Sequence, residues 1–271
     1  RNIYFFIFDG MTSLNMYQKY SLKSDGEIRE IENSFKKNDY IYINNSYSSG
    51  DKTKTTLGSI IQLQSIFTEN LSKNNQIYKD QLYPEILRKF NFENNRYPNL
   101  IHNLYKIDYK FIWLGGNIGC EIYNPDICIN FAGSNKINFF YINKYILESF
   151  LFNTPITQIY NLIFVNFFKN RDSKSYSEID FTSKFYNNFN FSKDHHKKNY
   201  FYFIHNLFPN LPHIFESNCE VKNDISKINT FSLKGYIKNY DCALKKIDEI
   251  INFLEEKDPN AIVIFQSDHG I

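Results

Sequence analysis

The sequence lacks several features that would fix a protein's class at once. It has no excess of charge, with 31 Lys and Arg residues, 29 Asp and Glu residues and a net charge of +2, so it has no polybasic signature of a nucleic-acid-binding protein. No stretch approaches the roughly eighteen apolar residues of a membrane span, and the first residues shown do not have the n-region, h-region and cleavage site pattern of a signal peptide. What remains is a 271-residue chain, 42% hydrophobic, which is long enough to bury a large core.

Cysteine is also scarce, and none of the four residues lies in a C-x-x-C pair. This spacing argues against a closed structural zinc site. Cys120 and Cys128 bracket a short loop, and Cys219 lies in a polar loop. Two disulfides in an oxidising compartment and four unpaired thiols, one of them Cys242, are both compatible with this pattern.

Short apolar runs alternate with helical patterns along the chain, which predicts an α/β fold with a mostly parallel central sheet and helices on both faces. We predict strands at 2–10, 39–48, 109–116, 199–207 and 261–270. These runs are apolar on both faces, as strands covered on both sides require. The weaker pattern at 150–198 predicts helices and long loops.

A helical period is clearest at 242–260, where Ile247, Ile250 and Leu254 share one face with other apolar residues. The pattern stops at Asp258-Pro259 and runs directly into the last predicted strand. We therefore expect the second half of a right-handed crossover onto a parallel strand.

Unusual polar residues follow the predicted strands. Asp9 follows the apolar run IYFFIF, His205 follows YFYFI, and Asp268 and His269 come after AIVIF, while Gly115 and Gly116 follow KFIWL. In open α/β sheets the functional crevice lies beyond the carboxyl ends of the strands. We therefore expect these side chains to meet at one edge of the sheet.

A glycine- and hydroxyl-rich turn, SGDKTKTTLGSIIQL, leads into a short helical pattern and offers a nucleophile. A hydroxyl at a helix N-terminus lies in the field of unpaired N–H groups, which favour an alkoxide and a bound phosphate. Thr53, Thr55 and Thr56 are the candidates. An isolated threonine there would simply cap the helix.

The threonine is not isolated. Together with Asp9, Asp268 and His269, one of these threonines supplies three oxygens and one imidazole nitrogen, a ligand set that suits Zn²⁺ or Mn²⁺, with Ca²⁺ and Mg²⁺ as alternatives. A metal held there would lower the hydroxyl pKa and bind a substrate oxygen for in-line attack.

Four stretches resemble motifs of one superfamily. NIYFFIFDG is similar to N-I-Y-x-I-x-x-D-G, TKTTLGSIIQ resembles T-x-x-S-L-x-S-x-L-N, FIHNLFPNLPHIF looks like F-x-H-x-x-x-P-H-x-P-F, and IVIFQSDHG is similar to I-I-x-Q-S-D-H-G, the most specific of the four. Their order resembles the sulfatase-like, alkaline-phosphatase-type superfamily. The membrane-anchored branch with lipoteichoic acid synthases and phosphoethanolamine transferases looks closest.

The resemblance implies a role for particular residues. Asp9, Asp268 and His269 match its metal ligands, and Thr53 matches the nucleophile, which also binds the metal. Thr55 remains a rival, because the neighbouring residues do not fix the register.

The predicted substrate-binding set is His205, Asn210 and His213. His205 matches the first histidine of the family's third motif and is also a candidate catalytic residue. The sequence departs from that motif at Asn210, which stands where the second histidine is expected, and at His213, which is displaced by three residues.

The implied function is a metal-dependent phosphoryl-headgroup transferase or phosphodiesterase that acts on an anionic envelope lipid or glycan. Residues 1–271 would form one alkaline-phosphatase-like catalytic domain, incomplete at its C-terminus, anchored by membrane helices before residue 1 and located in the periplasm or outside the cell. The resemblance further implies the disulfides Cys120–Cys128 and Cys219–Cys242.

Two alternatives stay open. Sulfatases carry a formylglycine nucleophile made within C-x-P-x-R or S-x-P-x-R, and no such stretch occurs at 46–60, which favours phosphoryl chemistry over sulfate-ester hydrolysis. The change at Asn210 motivates the second alternative, a catalytically degenerate binding domain.

Overall fold

The computed structural model describes residues 1–43, 46, 48, 53–63, 99–115, 119–120, 123–130, 185–187, 189, 199–210, 213–221 and 232–270. The main elements, in chain order, are β1 (Ile3–Phe8), α1 (Leu14–Ser21), α2 (Asp25–Lys37), α3 (Thr53–Gln62), α4 (Asn99–Lys106), β2 (Tyr109–Gly115), β3 (Ile127–Asn130), β4 (Asn199–Asn206), α5 (Leu233–Lys257) and β5 (Ile262–Ser267). Within these ranges no helix is both long enough and apolar enough to cross a membrane.

The five strands form one sheet in the order β3-β2-β4-β1-β5, and every neighbouring pair is parallel. β1 lies between β4 and β5, with Ile3 opposite both Phe201 and Ile262. The predicted α/β fold with a parallel sheet is therefore confirmed. Because all strands run the same way, their carboxyl ends lie at one edge of the sheet.

The side chains of β1 alternate between two cores, which shows how a fully apolar strand suits a sheet covered on both faces. Tyr4, Phe6 and Phe8 face one core, and Phe5 and Ile7 face the other. α5 covers the first face, while α3 and α4 cover the second, through buried residues that include Ile247 and Ile250 on one side and Leu57, Ile61, Ile101 and Leu104 on the other. The expected helices on both faces are thus present.

α5 is longer than the predicted helix because it begins at Leu233, where Ser232 caps it by accepting a hydrogen bond from the N–H of Gly235 at 3.0 Å. Its end agrees with the prediction: the last residue is Lys257, and Asp258 caps the helix just before the proline. Ile262 then begins β5, and its N–H donates to the carbonyl of Asn2 at 2.9 Å.

The predicted strand at 39–48 is wrong over 40–43, which is irregular. Tyr40 packs against Phe265 with ring centroids 5.9 Å apart, and the hydroxyl of Tyr42 accepts a hydrogen bond from the N–H of Leu14. Ile41 and Ile43 are 88% and 70% exposed. The alternation therefore reflects one-sided packing of a surface segment, and not strand pairing. Most of the predicted region 150–198 lies outside the described residues, as does Gly116.

Candidate metal centre at the carboxyl edge of the sheet

Asp9 directly follows β1 and is buried. Its N–H donates to the carbonyl of Asn206 at 2.9 Å, which extends the β1–β4 pairing by one residue. The chain then turns sharply at Gly10, whose φ of +69° lies in the left-handed region that glycine adopts without strain. This turn leaves the Asp9 carboxylate at the sheet edge.

Asp268 follows β5 and is completely buried. Its Oδ1 accepts hydrogen bonds from the N–H groups of Gly10 at 3.0 Å and His269 at 2.8 Å. Its Oδ2 has no hydrogen-bond partner among the residues that the structure describes. A buried oxygen without a hydrogen-bond donor is costly unless a positive group lies nearby, so this oxygen is suited to contact a cation.

Thr53 is the first residue of α3, as predicted for a hydroxyl at a helix N-terminus. Its Oγ1 donates to Asp9 Oδ1 at 3.4 Å and lies 3.2 Å from His269 Nε2. Thr56, in the first turn of the same helix, is buried with 1% exposure, and the side chain of Thr55 lies outside the described residues. The Thr53 side chain thus contacts both a carboxylate and an imidazole of the cluster.

The site is therefore a compact group of four potential ligand atoms: Asp9 Oδ1, Thr53 Oγ1, Asp268 Oδ2 and His269 Nε2. Besides the two threonine distances, His269 Nε2 lies 3.2 Å from Asp9 Oδ1 and 3.6 Å from Asp268 Oδ2. Four ligands placed about 2.1 Å from one ion in a tetrahedron are about 3.4 Å apart. The residues present thus fit a divalent metal.

His205 is the penultimate residue of β4 and brings a fifth candidate atom. Its Nε2 is buried with no hydrogen-bond partner in the described part of the chain, and it lies with Asp9 and Asp268 in a group whose ligand atoms are all within 4.8 Å of one another. Burial lowers the pKa of His205, against the opposing charges of Asp9 and Asp268. The ring is therefore neutral, which is the form that binds metals.

Gly115 makes room for this histidine at the end of β2. A Cβ added there would lie 3.1 Å from the Cβ of His205 and equally close to the ring of Trp113. A side chain at this position would therefore crowd both His205 and Trp113.

His269 carries a proton in the metal-free site. Its hydrogen bond to Asp9 raises its pKa to about 9, helped by the carbonyl of Gly270 and the charge of Asp268 and opposed by burial. The imidazolium balances part of the charge of the two carboxylates, which lie close together at this edge.

Asn210, which lies in the predicted substrate-binding motif, contacts Asp9. Its side-chain amide donates to Asp9 Oδ1 at 2.7 Å and its backbone N–H donates to the Asp9 carbonyl at 2.9 Å. His213 is buried and packs on α5, with its ring 5.9 Å from that of Tyr236 and its Cβ within 2.9 Å of a Cβ added at Gly235. In these contacts the two residues orient the loop after β4.

The sequence interpretation missed the support that α5 gives to the site. Asn239 is fully buried and Tyr236 nearly so, and they bond to the loops after β4 and β1 respectively. The available signal was a polar Asn at helical spacing from Ala243 and Ile247, on an otherwise apolar face.

Both disulfides implied by the resemblance are present. Cys120–Cys128 has a Cα separation of 5.7 Å and joins the segment after β2 to β3. Cys219–Cys242 has a Cα separation of 4.9 Å and fastens the 213–221 loop to α5. Each separation lies within the range of ordinary disulfides.

No family model, curated protein or solved structure matches this chain. A functional interpretation therefore depends on the geometry of this site and on the motif resemblance.

Proposed function

We propose that the chain is a sulfatase-like catalytic domain that transfers or hydrolyses a phosphoryl headgroup, with Thr53 as nucleophile. The observation that carries this proposal is the contact of the Thr53 hydroxyl with both Asp9 and His269, within a group of ligand atoms 3.2 to 3.6 Å apart. A structural helix cap needs no such surroundings, since its oxygen binds backbone N–H groups of its own helix.

Asp9, Thr53, Asp268 and His269 are the proposed ligands of one Zn²⁺ or Mn²⁺ ion, and a ligand atom of His205 lies within 4.8 Å of those of Asp9 and Asp268. Such an ion, when bound, supplies Lewis-acid chemistry that lowers the pKa of the threonine hydroxyl and stabilises negative charge on the substrate. Mixed oxygen and nitrogen ligands suit these two metals better than Ca²⁺ or Mg²⁺, which favour oxygen ligands alone.

Thr53 provides the covalent step. Its Oγ forms a bond to phosphorus as the bond from phosphorus to the leaving oxygen breaks, and the hydroxyl proton leaves along the hydrogen bond to Asp9. An acceptor hydroxyl or water then attacks the phosphothreonine and restores the free hydroxyl. The N-terminus of α3 favours the negative charge that develops at this position.

His205 is the proposed contact to the substrate. Its Nε2 is buried without a partner among the described residues, and the ring lies beside Asp9 and Asp268, where it can hydrogen-bond a phosphoryl oxygen or the leaving oxygen. A preorganised donor in a buried site stabilises transition-state charge more strongly than water does.

We further propose that the domain works outside the cytoplasm, on an anionic lipid or glycan headgroup at a membrane surface. Two disulfides support an oxidising compartment. The lipid or glycan class and the membrane anchor follow from the motif resemblance.

Trapping the covalent intermediate tests the proposal. The protein is incubated with Mn²⁺ and a phospholipid labelled in its headgroup phosphate, without acceptor, and we expect label on Thr53, none after chelation, and none in Thr53→Ala. Thr55→Ala is the matched control and should label like the wild type.

Three results count against the proposal. Equal labelling of Thr53→Ala would exclude this nucleophile, and loss of label only in Thr55→Ala would move the nucleophile by two residues. Faster turnover of a sulfate ester than of a phosphodiester, measured side by side, would favour a sulfatase.

A further inference from the structure

One turn of α5 holds two of the loops that carry the site. Its residues Tyr236, Asn239 and Tyr240 are three and four apart, so their side chains lie on one helix face. Tyr236 accepts a hydrogen bond from the N–H of Thr12 at 3.1 Å and donates one to the carbonyl of Gly10 at 2.9 Å. Tyr240 donates to the carbonyl of Thr12 at 2.7 Å. These bonds fix the turn that follows Asp9.

Asn239 fixes the loop after β4. Its Nδ2 donates to the carbonyls of Pro209 at 3.3 Å and Asn210 at 3.4 Å, and its Oδ1 accepts from the N–H of Phe215 at 2.9 Å. The side chain is fully buried. A buried amide joined to three backbone groups of one loop determines where that loop lies.

The loop held by Asn239 reaches the metal centre through Asn210, whose side-chain amide and backbone N–H both bond to Asp9. Asp9 Oδ1 is also the oxygen that contacts Thr53 and His269. A shift of the Asn210 backbone would therefore rotate or release the carboxylate on which the cluster of ligand atoms depends.

We propose that Asn239 is a positioning residue that sets the metal affinity of the site, acting through Asn210 on Asp9. This inference rests on the metal-dependent function proposed above. Groups that orient a metal ligand from outside its first shell typically change metal affinity by about 10- to 100-fold when they are removed. Because Asn239 acts through a second residue, we expect the lower end, about tenfold.

Asn239→Asp tests this directly, because it keeps the acceptor for Phe215 and turns the donor toward Pro209 and Asn210 into an acceptor. The matched control is Asn2→Asp. Asn2 is another buried asparagine, 7% exposed, at the opposite edge of the sheet, where it donates to Asp258 at 2.7 Å and accepts from the N–H of Tyr200 at 2.9 Å. This control also replaces a buried hydrogen-bond donor by an acceptor, at a position that does not contact the candidate metal centre.

Binding of Mn²⁺ alone is measured by calorimetry and by the electron spin resonance signal of the free ion, and unfolding temperatures are recorded in chelator. We expect about tenfold weaker Mn²⁺ binding in Asn239→Asp and less than a twofold change in Asn2→Asp, although both lower the unfolding temperature. Asn239→Ala is measured in parallel, so that the Mn²⁺ affinity can still be tested if Asn239→Asp does not fold.

A double-mutant cycle separates positioning from general destabilisation. If Asn239 acts through Asn210, then Asn210→Ala combined with Asn239→Ala should bind Mn²⁺ only slightly more weakly than Asn210→Ala alone. Fully additive losses, an unchanged affinity in the Asn239 variants, or an equal loss in Asn2→Asp would each overturn the inference. Absence of Mn²⁺ binding by the wild type would instead overturn the metal site itself, and this inference with it.

Discussion

Replacing Asp268 by Asn should separate stability from metal binding at this site. Asp268 Oδ1 accepts two backbone hydrogen bonds, from Gly10 and His269, whereas Oδ2 is buried without a donor among the described residues. An asparagine can keep the Oδ1 bonds with the same shape. It removes the negative charge that a metal would bind.

The expected change in the free energy of unfolding of Asp268→Asn follows from two opposing terms. A hydrogen bond to a charged acceptor is worth about 1 kcal/mol more than one to a neutral acceptor, so two weakened bonds cost about 2 kcal/mol. Neutralising a buried, partly unpaired charge returns a similar amount, since the desolvation penalty of a buried ion is several kcal/mol. Without metal, Asp268→Asn should therefore lie within about 1 kcal/mol of the wild type.

Asp268→Ala provides the contrast. It leaves the N–H groups of Gly10 and His269 without their acceptor, at a cost of about 1 to 3 kcal/mol each. Urea unfolding in chelator should thus rank Asp268→Asn near the wild type and Asp268→Ala about 2 to 6 kcal/mol below it.

The same unfolding curves with Mn²⁺ complete the test. A concentration 100 times the dissociation constant stabilises a folded protein by about 2.7 kcal/mol, and we expect this gain in the wild type and not in Asp268→Asn. If Asp268→Asn kept the full gain, Asp268 would not be a ligand. If it lost as much stability in chelator as Asp268→Ala, the argument from the unpaired oxygen would be wrong.

Two further changes test the frame of the site. Removing Cys219–Cys242 by alanine substitution should lower the free energy of unfolding by about 3.4 kcal/mol, and removing Cys120–Cys128 should lower it by about 2.5 kcal/mol, because the first bridge joins residues 23 positions apart and the second residues 8 apart. Urea unfolding measures both losses. The reverse order would contradict the loop-closure reasoning. Gly10→Ala should cost about 1 to 3 kcal/mol, since an alanine at φ +69° is strained, and should weaken Mn²⁺ binding in calorimetry; unchanged stability and affinity would show that the turn relaxes.

The sheet was largely predictable because its central strands are apolar on both faces. β1, β2, β4 and β5 each lie within a predicted range. The run IYFFIF in β1 is covered on both sides, whereas β5 is an apolar edge strand with Ile262 and Ile264 on an exposed face. The segment at 40–43 resembles these strands in composition, but its tyrosines pack against α1 and β5 and it pairs with no strand that the structure describes. Such long-range contacts cannot be inferred from a local sequence pattern. β3 was not predicted, because a strand of four residues is too short to give a periodic signal.

The site was predictable where its residues follow strands. Asp9, His205 and Asp268 could be located because a parallel sheet brings carboxyl ends together. The hydrogen bond from Asn210 to Asp9 could not be predicted, because it depends on how the loop after β4 folds back toward β1. The supporting role of Asn239 depends on contacts with residues 24 to 30 positions away, which lie beyond any local pattern.

Trp113 gives the protein an optical reporter of its own site. It is the single tryptophan in the chain, 2% exposed, stacked on Phe203 with ring centroids 5.1 Å apart, and 6.3 Å from the ring of His205. Indole emission responds to charge and polarity nearby, so a change at that imidazole reaches the fluorophore directly. Its fluorescence can therefore follow events at His205 in solution without a label, and selective excitation separates it from the 21 tyrosines.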